Sequence, residues 1–230
     1  MRSAVFFLCL FAAVVAKAQD PLPPELKGTE KVAAVLARVA EAQSRVSTIT
    51  ARFEQVRESR LLAAPSVSRG IFYFASPDSV RWEYQSPRPM QVVIAGGVAI
   101  TYRPEEKRAE RVEIGRMQRR VFRFLGAAEP LDTLKRYFSF TFRDAGEGRD
   151  WEFLLDPATA ALKRRLRRVE VRIDRARFIP VAVSYVEADG DRTAYTFHDL
   201  VINGPLPEGL FALQLPPDVS VVDVKLASRE

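Results

Sequence analysis

His198 and the acidic residues are the side chains of this sequence that could take part in catalysis. His198 is the one histidine, and Asp199 beside it could orient it as a proton acceptor. The sequence has no Gly-x-Ser-x-Gly spacing, no P-loop and no Gly-x-Gly-x-x-Gly motif, and a lone histidine excludes the common zinc sites. We interpret His198 as a partly exposed residue at the end of a strand, and we predict no catalytic residue.

Two pairs of carboxylates have the chemistry of an acid–base catalyst or a calcium site. They are Glu105 with Glu106 and Asp189 with Asp191. Both pairs stand in turn-like stretches, so we interpret them as solvated loops. The sequence therefore predicts a protein that is not an enzyme and needs no metal and no cofactor.

The densest charge in the chain is the basic run from Lys163 to Arg168. Its side chains could form a solvated strand or loop edge, or they could contact anionic lipid headgroups or an acidic partner surface. The formal net charge of +6 falls to +4 when the leader described next is removed. This mild excess favours anionic surfaces, but nucleic acid is not an expected partner of a protein that we expect to be exported.

The first eighteen residues have the pattern of a secretory signal peptide. Arg2 precedes a compact apolar run, and Ala16-Lys17-Ala18 places small residues at the cleavage positions. The apolar run is too short to span a bilayer, which takes about 20 residues. We predict cleavage after Ala18 and a periplasmic protein. Cys9 lies inside this leader, so the mature chain has no cysteine for a disulfide or a thiolate site.

A lead-in, a helix and a strand follow the leader. Residues 19–28 are rich in proline and predict an extended segment, and residues 29–230 are expected to form a single domain. Thr29 is the expected cap of the helix, whose apolar residues recur at three- and four-residue spacing. From Thr48 the apolar period changes to two, which predicts a strand that ends near Arg57.

Four strands are predicted between residues 68 and 102. Val80, Trp82 and Tyr84 alternate with charged residues, so one face of this meander is apolar. Gly96-Gly97 predicts a tight hairpin turn. Further alternating runs raise the total to about ten or eleven strands. We predict a mainly β fold in which a single antiparallel sheet curls around an interior.

An amphipathic helix is expected after the strand that begins near residue 108. Its apolar residues fall at i, i+4, i+7 and i+8, and arginines occupy its other side. We expect this helix to cover the apolar face of the sheet as a lid, and the same pattern would also suit a membrane surface. The predicted lid residues are Met117, Val121, Phe124 and Leu125.

Several short motifs follow one another along most of the mature chain. They are Phe53 with Gln55, Gly70-x-Phe72-x-Phe74-x-x-Pro77-x-x-x-Arg81-Trp82-x-Tyr84, Pro89, Gly96-Gly97, Tyr102, Phe197-x-Asp199, Asn203, Leu210-Phe211 and Leu215-Pro216-Pro217-Asp218-Val219. In this order, they resemble the LolA-type outer-membrane lipoprotein carrier family of the periplasm. Each motif is short, so the order of the motifs carries the resemblance.

The resemblance implies an incomplete antiparallel β-barrel, covered by α-helices, with an apolar cavity for acyl chains. It also implies a monomeric carrier that receives acylated lipoproteins from an inner-membrane ABC-type release complex, contacts membrane surfaces transiently and passes its cargo to an outer-membrane acceptor. The residues that we place in the cavity are Phe53, Phe72, Phe74, Val80, Trp82, Tyr84, Ile100 and Tyr102. Ile71 and Tyr73 are also apolar, so the side of the sheet taken by Phe72 and Phe74 is open.

One position departs from the family pattern. Ser76 stands where members of the best-studied branch of the family carry an arginine that holds the lid shut, and a serine has neither its reach nor its charge. Arg69 and Arg81 are the candidates for a replacement latch. Ser76 itself is most simply interpreted as a turn residue.

Two other functions are compatible with the sequence. A periplasmic regulator that senses lipid or lipoprotein could be built on the same half-barrel. A structural β-sandwich with a filled core would hold no acyl chain, and lipid extraction from the purified protein would distinguish it from both lipid-binding functions.

Overall fold

The computed structural model describes residues 22–23, 25–114 and 131–224. The predicted leader lies outside the described residues, and so do the predicted lid residues Met117, Val121, Phe124 and Leu125. Within the described ranges, no helix has the length and apolar character needed to cross a membrane.

Twelve strands form one sheet. They are β1 Thr48–Glu58, β2 Ser66–Ala75, β3 Ser79–Ser86, β4 Met90–Ala95, β5 Val98–Arg103, β6 Arg108–Glu113, β7 Phe138–Asp144, β8 Trp151–Pro157, β9 Leu166–Ile173, β10 Pro180–Glu187, β11 Arg192–Ile202 and β12 Ser220–Val224. The helices of the described ranges are α1 Gly28–Ser44 and α2 Ala160–Lys163, with 3₁₀ turns at Pro104–Glu106 and Leu131–Arg136.

The order of the strands confirms the predicted open sheet and corrects one pairing. It runs β12-β6-β5-β4-β3-β2-β1-β11-β10-β9-β8-β7, so β12 and β7 are its two edges and the sheet is not closed into a barrel. Eleven strands pair antiparallel, as predicted, but β12 pairs parallel with β6. The sheet is therefore mixed, because the chain leaves β11 and crosses to the far edge before it forms β12.

The sheet curls toward the face that carries Trp82. Strand β3 and strand β11 are separated by β2 and β1, so in a flat sheet they would lie about 14 Å apart at roughly 4.8 Å per strand. The Trp82 ring of β3 nevertheless lies 5.1 Å from the Tyr195 ring and 5.8 Å from the Phe197 ring of β11. This face is therefore the concave one. The residues that alternate with these along each strand, such as Arg81 and Glu83 in β3, point their side chains to the convex face.

Helix α1 is fastened at both its ends to one end of the sheet, which we call the helix end. At its start, Lys31 Nζ donates to Oδ2 of Asp144 at 2.5 Å, and Asp144 is the last residue of β7. At its finish, Asn203 Nδ2 donates to the carbonyl oxygen of Arg45 at 2.9 Å. Val35 and Val39 of α1 are fully buried in the core. The cap predicted at Thr29 is wrong, since the helix begins at Gly28 and Lys27 precedes it without a side-chain cap.

The opposite end of the sheet, which we call the loop end, is formed by connections between strands. It contains the connections that leave β1, β3, β5, β8 and β10. The Gly96-Gly97 turn lies at the helix end, and both glycines have positive φ, as the predicted tight hairpin requires.

The segment between β11 and β12 crosses the convex face. It starts at Asn203 at the helix end and reaches β12 at the loop end, and midway the carbonyl oxygen of Leu210 accepts a hydrogen bond from Arg81 Nη1 at 2.8 Å. Val93 and Ala109 also lie on this convex side of β4 and β6, and both are buried. The convex face therefore has a small apolar layer of its own.

Asp144 gives the helix end a contribution to stability that depends on pH. Burial favours its neutral form, but hydrogen bonds from Lys31, Arg175 and the Gly146 N–H outweigh burial and lower the pKa of Asp144 to about 2. Since folding lowers this pKa, the contribution is present above pH 4 and is lost as the pH falls through about 2.

We expect Asp144→Asn to lower the free energy of unfolding near neutral pH by about 1 kcal/mol, since partial exposure screens an interaction that would otherwise be worth about 2 kcal/mol. Urea unfolding from pH 7 to pH 2 should show the difference from wild type shrinking below pH 4. Asp150→Asn is the control, because burial raises the pKa of Asp150 and its variant should lose no stability at pH 7. A difference that stayed constant down to pH 2 would contradict this role of Asp144.

Candidate apolar binding site

An aromatic cluster occupies the concave face where β3, β2, β1 and β11 lie side by side. Trp82 is its centre, with ring centroids of Phe72 and Phe53 at 4.6 and 4.8 Å. Alternation along each strand brings these rings to one face, because cross-strand partners such as Phe72 and Trp82 share a side of the sheet. The cluster consists of Phe53, Phe72, Trp82, Tyr84, Tyr195 and Phe197.

Gly70 makes room for the Phe53 ring. The two residues are cross-strand partners, and a β-carbon at position 70 would lie 2.8 Å from Phe53 Cε1 and 1.9 Å from the carbonyl oxygen of Glu83. Because no side chain stands there, Phe53 can place its ring edge-on to both Trp82 and Tyr84.

The polar groups of this cluster are the hydroxyls of Tyr84 and Tyr195 and the indole N–H of Trp82, and all of them are neutral. Tyr195 is hydrogen-bonded to Tyr84 and to Tyr185. Burial raises the pKa of Tyr195 far above its ordinary value, and the neighbouring tyrosines raise it further. Burial also raises the pKa of Tyr84, although its hydrogen bond with Tyr195 acts in the opposite direction. The site is therefore uncharged at neutral pH, which suits an apolar ligand with a polar but uncharged group.

A pocket of about 370 Å³ opens from this cluster toward the loop end, and we call it the mouth. Tyr84 belongs to both, since it lines the mouth and packs against Phe53 at 5.0 Å. The remaining lining is Gln55, Arg57, Ser66, Ser68, Pro87, Arg88, Pro89, Met90, Arg103, Glu105 and Glu106. The concave face thus changes from aromatic to polar as it approaches the loop end.

Six of the eight residues predicted for the cavity lie together on the concave face. Phe53, Phe72, Phe74, Val80 and Trp82 are buried in one core cluster, and Tyr84 packs against it. The side of the sheet that the sequence left open for Phe72 and Phe74 is the concave one, whereas Ile71 and Tyr73 take the convex side. That these residues hold acyl chains stays a prediction.

Ile100 and Tyr102 lie on the other face of the sheet. The hairpin pairs Ile94 with Ala99 and Val93 with Ile100, and Ile94 is in turn paired with Val80. Ala99 is therefore concave and Ile100 convex. The prediction chose the wrong face because alternation in β5 shows which residues share a face but not which face is concave, and both faces of the neighbouring β4 are apolar.

The two arginines proposed as a latch are also on the convex face. Arg69 donates from Nε to Glu54 Oε2 at 2.9 Å. Arg81 donates to Glu83 and Gln91 as well as to Leu210, so it fastens the segment that crosses the convex face. A latch role for either residue stays untested, because the predicted lid lies outside the described residues.

The other residues considered for chemistry lie on the surface. His198 is exposed, and its neighbour Asp199 is paired with Arg52. Ser76 is an exposed turn residue, and its N–H donates to the carbonyl oxygen of Ser47 at 2.8 Å. In the part of the chain that the structure describes, no group of three or more His, Cys, Asp or Glu side chains could hold a metal ion.

Tyr195 and Phe197 belong to the cluster but were not predicted as site residues. Their alternation predicted a strand, yet the sequence does not reveal that β11 pairs with β1 rather than only with its hairpin partner. The register that pairs Phe53 with Phe197 brings them into the site. The motif Phe197-x-Asp199 was the signal that could have placed them there.

The fold and the site together define an open half-barrel with an apolar concave face, which is the architecture of a binding protein. The family described as outer membrane lipoprotein carrier protein LolA matches residues 44–214. The chain belongs to this family, as its motifs suggested. No curated protein matches the chain closely enough to be reported.

Solved structures are similar to this chain at low sequence identity. An uncharacterized conserved protein from Thermus thermophilus is 12% identical with a TM-score of 0.53, over 84% of this chain and 99% of its own. The MucA/MucB complex of Pseudomonas aeruginosa gives 16% identity and a TM-score of 0.45, over 84% of this chain and 64% of that one. The lipoprotein LppX of Mycobacterium tuberculosis is 10% identical with a TM-score of 0.46, over 78% of this chain and 99% of its own.

We expect Gly70→Ala to lower the free energy of unfolding by about 3 kcal/mol, because the added methyl meets a backbone carbonyl and the Phe53 ring. Thermal and urea unfolding measure the loss. Ser66→Ala on the same strand is the matched control and should change stability by less than about 0.5 kcal/mol. A Gly70→Ala protein as stable as this control would show that the cluster does not depend on the empty position.

Proposed function

We propose that this protein shields the acyl chains of lipoproteins, or of a related lipid, within its concave face and carries them between membranes. The observation that supports this proposal best is the continuity between the buried aromatic cluster and the mouth, which meet at Tyr84. An acyl chain can then lie among the rings while the polar part of its cargo stays at the mouth.

The free energy gained by burying an acyl chain exceeds the cost of separating the aromatic rings that fill the interior of the empty protein. A chain of about fourteen methylenes gains roughly 11 kcal/mol when it leaves water, at about 0.8 kcal/mol per methylene, and this is an upper estimate. Separating two or three aromatic pairs costs roughly 1–4 kcal/mol. The ring contacts of Trp82 can therefore close the empty site and still yield to an acyl chain.

A buried amide in α1 adds a polar group to the core. Gln43 is 3% exposed, and among the described residues neither its Nε2 nor its Oε1 has a hydrogen-bond partner. An unpaired buried amide costs about 1–3 kcal/mol. This cost makes the empty interior less stable than a wholly apolar one of the same shape.

The wider pathway follows from family membership and is part of the proposal. The protein is exported to the periplasm by its leader, residues 1–18, which is then removed. It receives acylated lipoproteins from an inner-membrane ABC-type release complex and delivers them to an outer-membrane acceptor. It works as a carrier and not as an enzyme, because the site offers hydroxyls and rings but no activated nucleophile.

Met90→Glu tests the path through the mouth. Met90 lines the mouth, and its cross-strand partner is Tyr84, so a carboxylate there would have to be desolvated by an entering acyl chain. We expect the affinity for a fluorescent fatty acid to fall at least about tenfold, with a melting temperature close to that of wild type.

The control is Gln91→Glu, one residue further along β4. Gln91 lies on the convex face and accepts a hydrogen bond from Arg81, so the same charge placed there should leave fatty-acid binding unchanged. Equal losses in the two variants, or a wild-type protein that binds no acyl probe and carries no lipid when purified, would contradict the proposed function.

A further inference from the structure

We propose that the loop end of the half-barrel docks on anionic phospholipid membranes, with Leu61 and Leu62 entering the bilayer interface. The observation behind this inference is separate from the acyl-chain site, so it does not depend on the identity of the cargo. It concerns the connection between β1 and β2 and the cations that surround it.

Leu61 and Leu62 are exposed at the tip of that connection. Leu61 is 93% exposed and Leu62 43% exposed, whereas most large apolar side chains of the described chain are at least partly buried. Neither leucine contributes to the hydrophobic core cluster. An adjacent pair of leucines held in water by a folded chain is typical of a surface that meets an apolar phase.

An arginine of this connection and an arginine of the basic run meet at the turn between β10 and β11. A β-carbon at Gly190, in the turn between β10 and β11, would lie 3.9 Å from Arg60 Nη2 and 3.9 Å from Arg167 Nη1. Arg60 belongs to the leucine connection, and Arg167 belongs to the basic run from Lys163 to Arg168. The basic run and the two leucines therefore share one surface, although about a hundred residues separate them in sequence.

The cations of this surface exceed its anions, which are Glu58, Asp156, Glu187, Asp189 and Asp191. Asp191 is paired with Arg57 at 3.3 Å, and Asp156 with Arg168 at 2.8 Å. Lys163, Arg164 and Arg165 are exposed, and within the described part of the chain they form no ion pair. Each cation held near an anionic lipid surface adds to binding, and this attraction requires no defined geometry.

A lipid bilayer fits these features better than an acidic protein does. The pair of leucines and the free cations match the two layers of a membrane interface, which are acyl chains and phosphate headgroups. The mouth opens at the same end of the sheet, as Arg88 and Arg103 in its lining show. Docking by this end would therefore bring the mouth to the bilayer.

Vesicle co-sedimentation tests the docking surface. We expect wild type to bind vesicles of phosphatidylglycerol mixed with phosphatidylcholine, and to bind pure phosphatidylcholine at least about tenfold more weakly. The double variant Leu61→Asp/Leu62→Asp and the triple variant Lys163→Gln/Arg164→Gln/Arg165→Gln should each bind the anionic vesicles about tenfold more weakly or worse.

Matched controls are available at the helix end. Val201 is 53% exposed there, so Val201→Asp makes a similar substitution at an exposed apolar residue on the other side of the molecule. Arg143→Gln/Arg149→Gln/Arg177→Gln removes the same number of cations from that end. Both controls should bind vesicles as wild type does, and circular dichroism shows whether each variant is folded.

Insertion of the leucine tip can be read directly. In a Cys9→Ser background, Leu61→Cys carries an environment-sensitive fluorophore, and Val201→Cys carries the same label at the helix end. We expect anionic vesicles to shift the emission of the label at position 61 to the blue and to leave the label at position 201 unchanged.

Three results would overturn the docking surface. They are absence of binding to anionic vesicles, equal loss of binding in the controls and the variants, and a label at position 61 that stays in water on bound vesicles. With the first of these results, capture of an acidic protein would identify the other occupant of this surface. The fatty-acid binding of wild type, Met90→Glu and Gln91→Glu has no bearing on these outcomes, so the two proposals can fail separately.

Discussion

The contact between the Phe53 ring and the bare backbone of Gly70 is the constraint on which the interior depends. Gly70 has no side chain, so Phe53 can lie over β2 and present its edge to Trp82 and Tyr84. Trp82 then reaches across to Phe197, and the curvature of the sheet follows these contacts. A larger residue at position 70 would separate the rings and flatten the part of the sheet that forms the site.

The two ends of the half-barrel differ physically, and the difference fits a carrier. At the helix end, Lys31, Arg175 and Asp144 form a compact charged cluster beside the buried Trp151, and Arg175 stacks 3.5 Å from the Trp151 ring centroid. At the loop end, the concave face opens into a polar pocket and leucines face water. The rigid end can hold the sheet in shape while exchange takes place at the other.

Alternation in the sequence was enough to predict the central part of the site. Val80, Trp82 and Tyr84 were assigned to one face because charged residues separate them, and the structure places all three on the concave face. Alternation failed for Ile100 and Tyr102, since Val93 and Ile94 are both apolar and the hairpin register alone decides which of them is concave. It also gave no sign that β12 would join the sheet parallel to β6, because β12 buries no side chain.

Long-range pairing explains the remaining differences. Tyr195 and Phe197 enter the site only because β11 pairs with β1, and the residues concerned lie far apart in sequence. Long-range pairing also brings the connection that carries Leu61 close to the basic run, because both lie beside the turn at Gly190. Local patterns specify the strands and their faces, whereas the register between distant strands determines which faces meet.

Quenching of Trp82 by a brominated fatty acid tests the central claim most directly. The chain has two tryptophans, so Trp151→Phe leaves Trp82 as the one reporter and Trp82→Phe leaves Trp151. If acyl chains lie within the aromatic cluster, a fatty acid brominated along its chain should quench Trp82 strongly and Trp151, at the helix end, much less. A fatty acid that bound the protein without quenching Trp82 would show that the concave face is a filled core and that the ligand lies elsewhere.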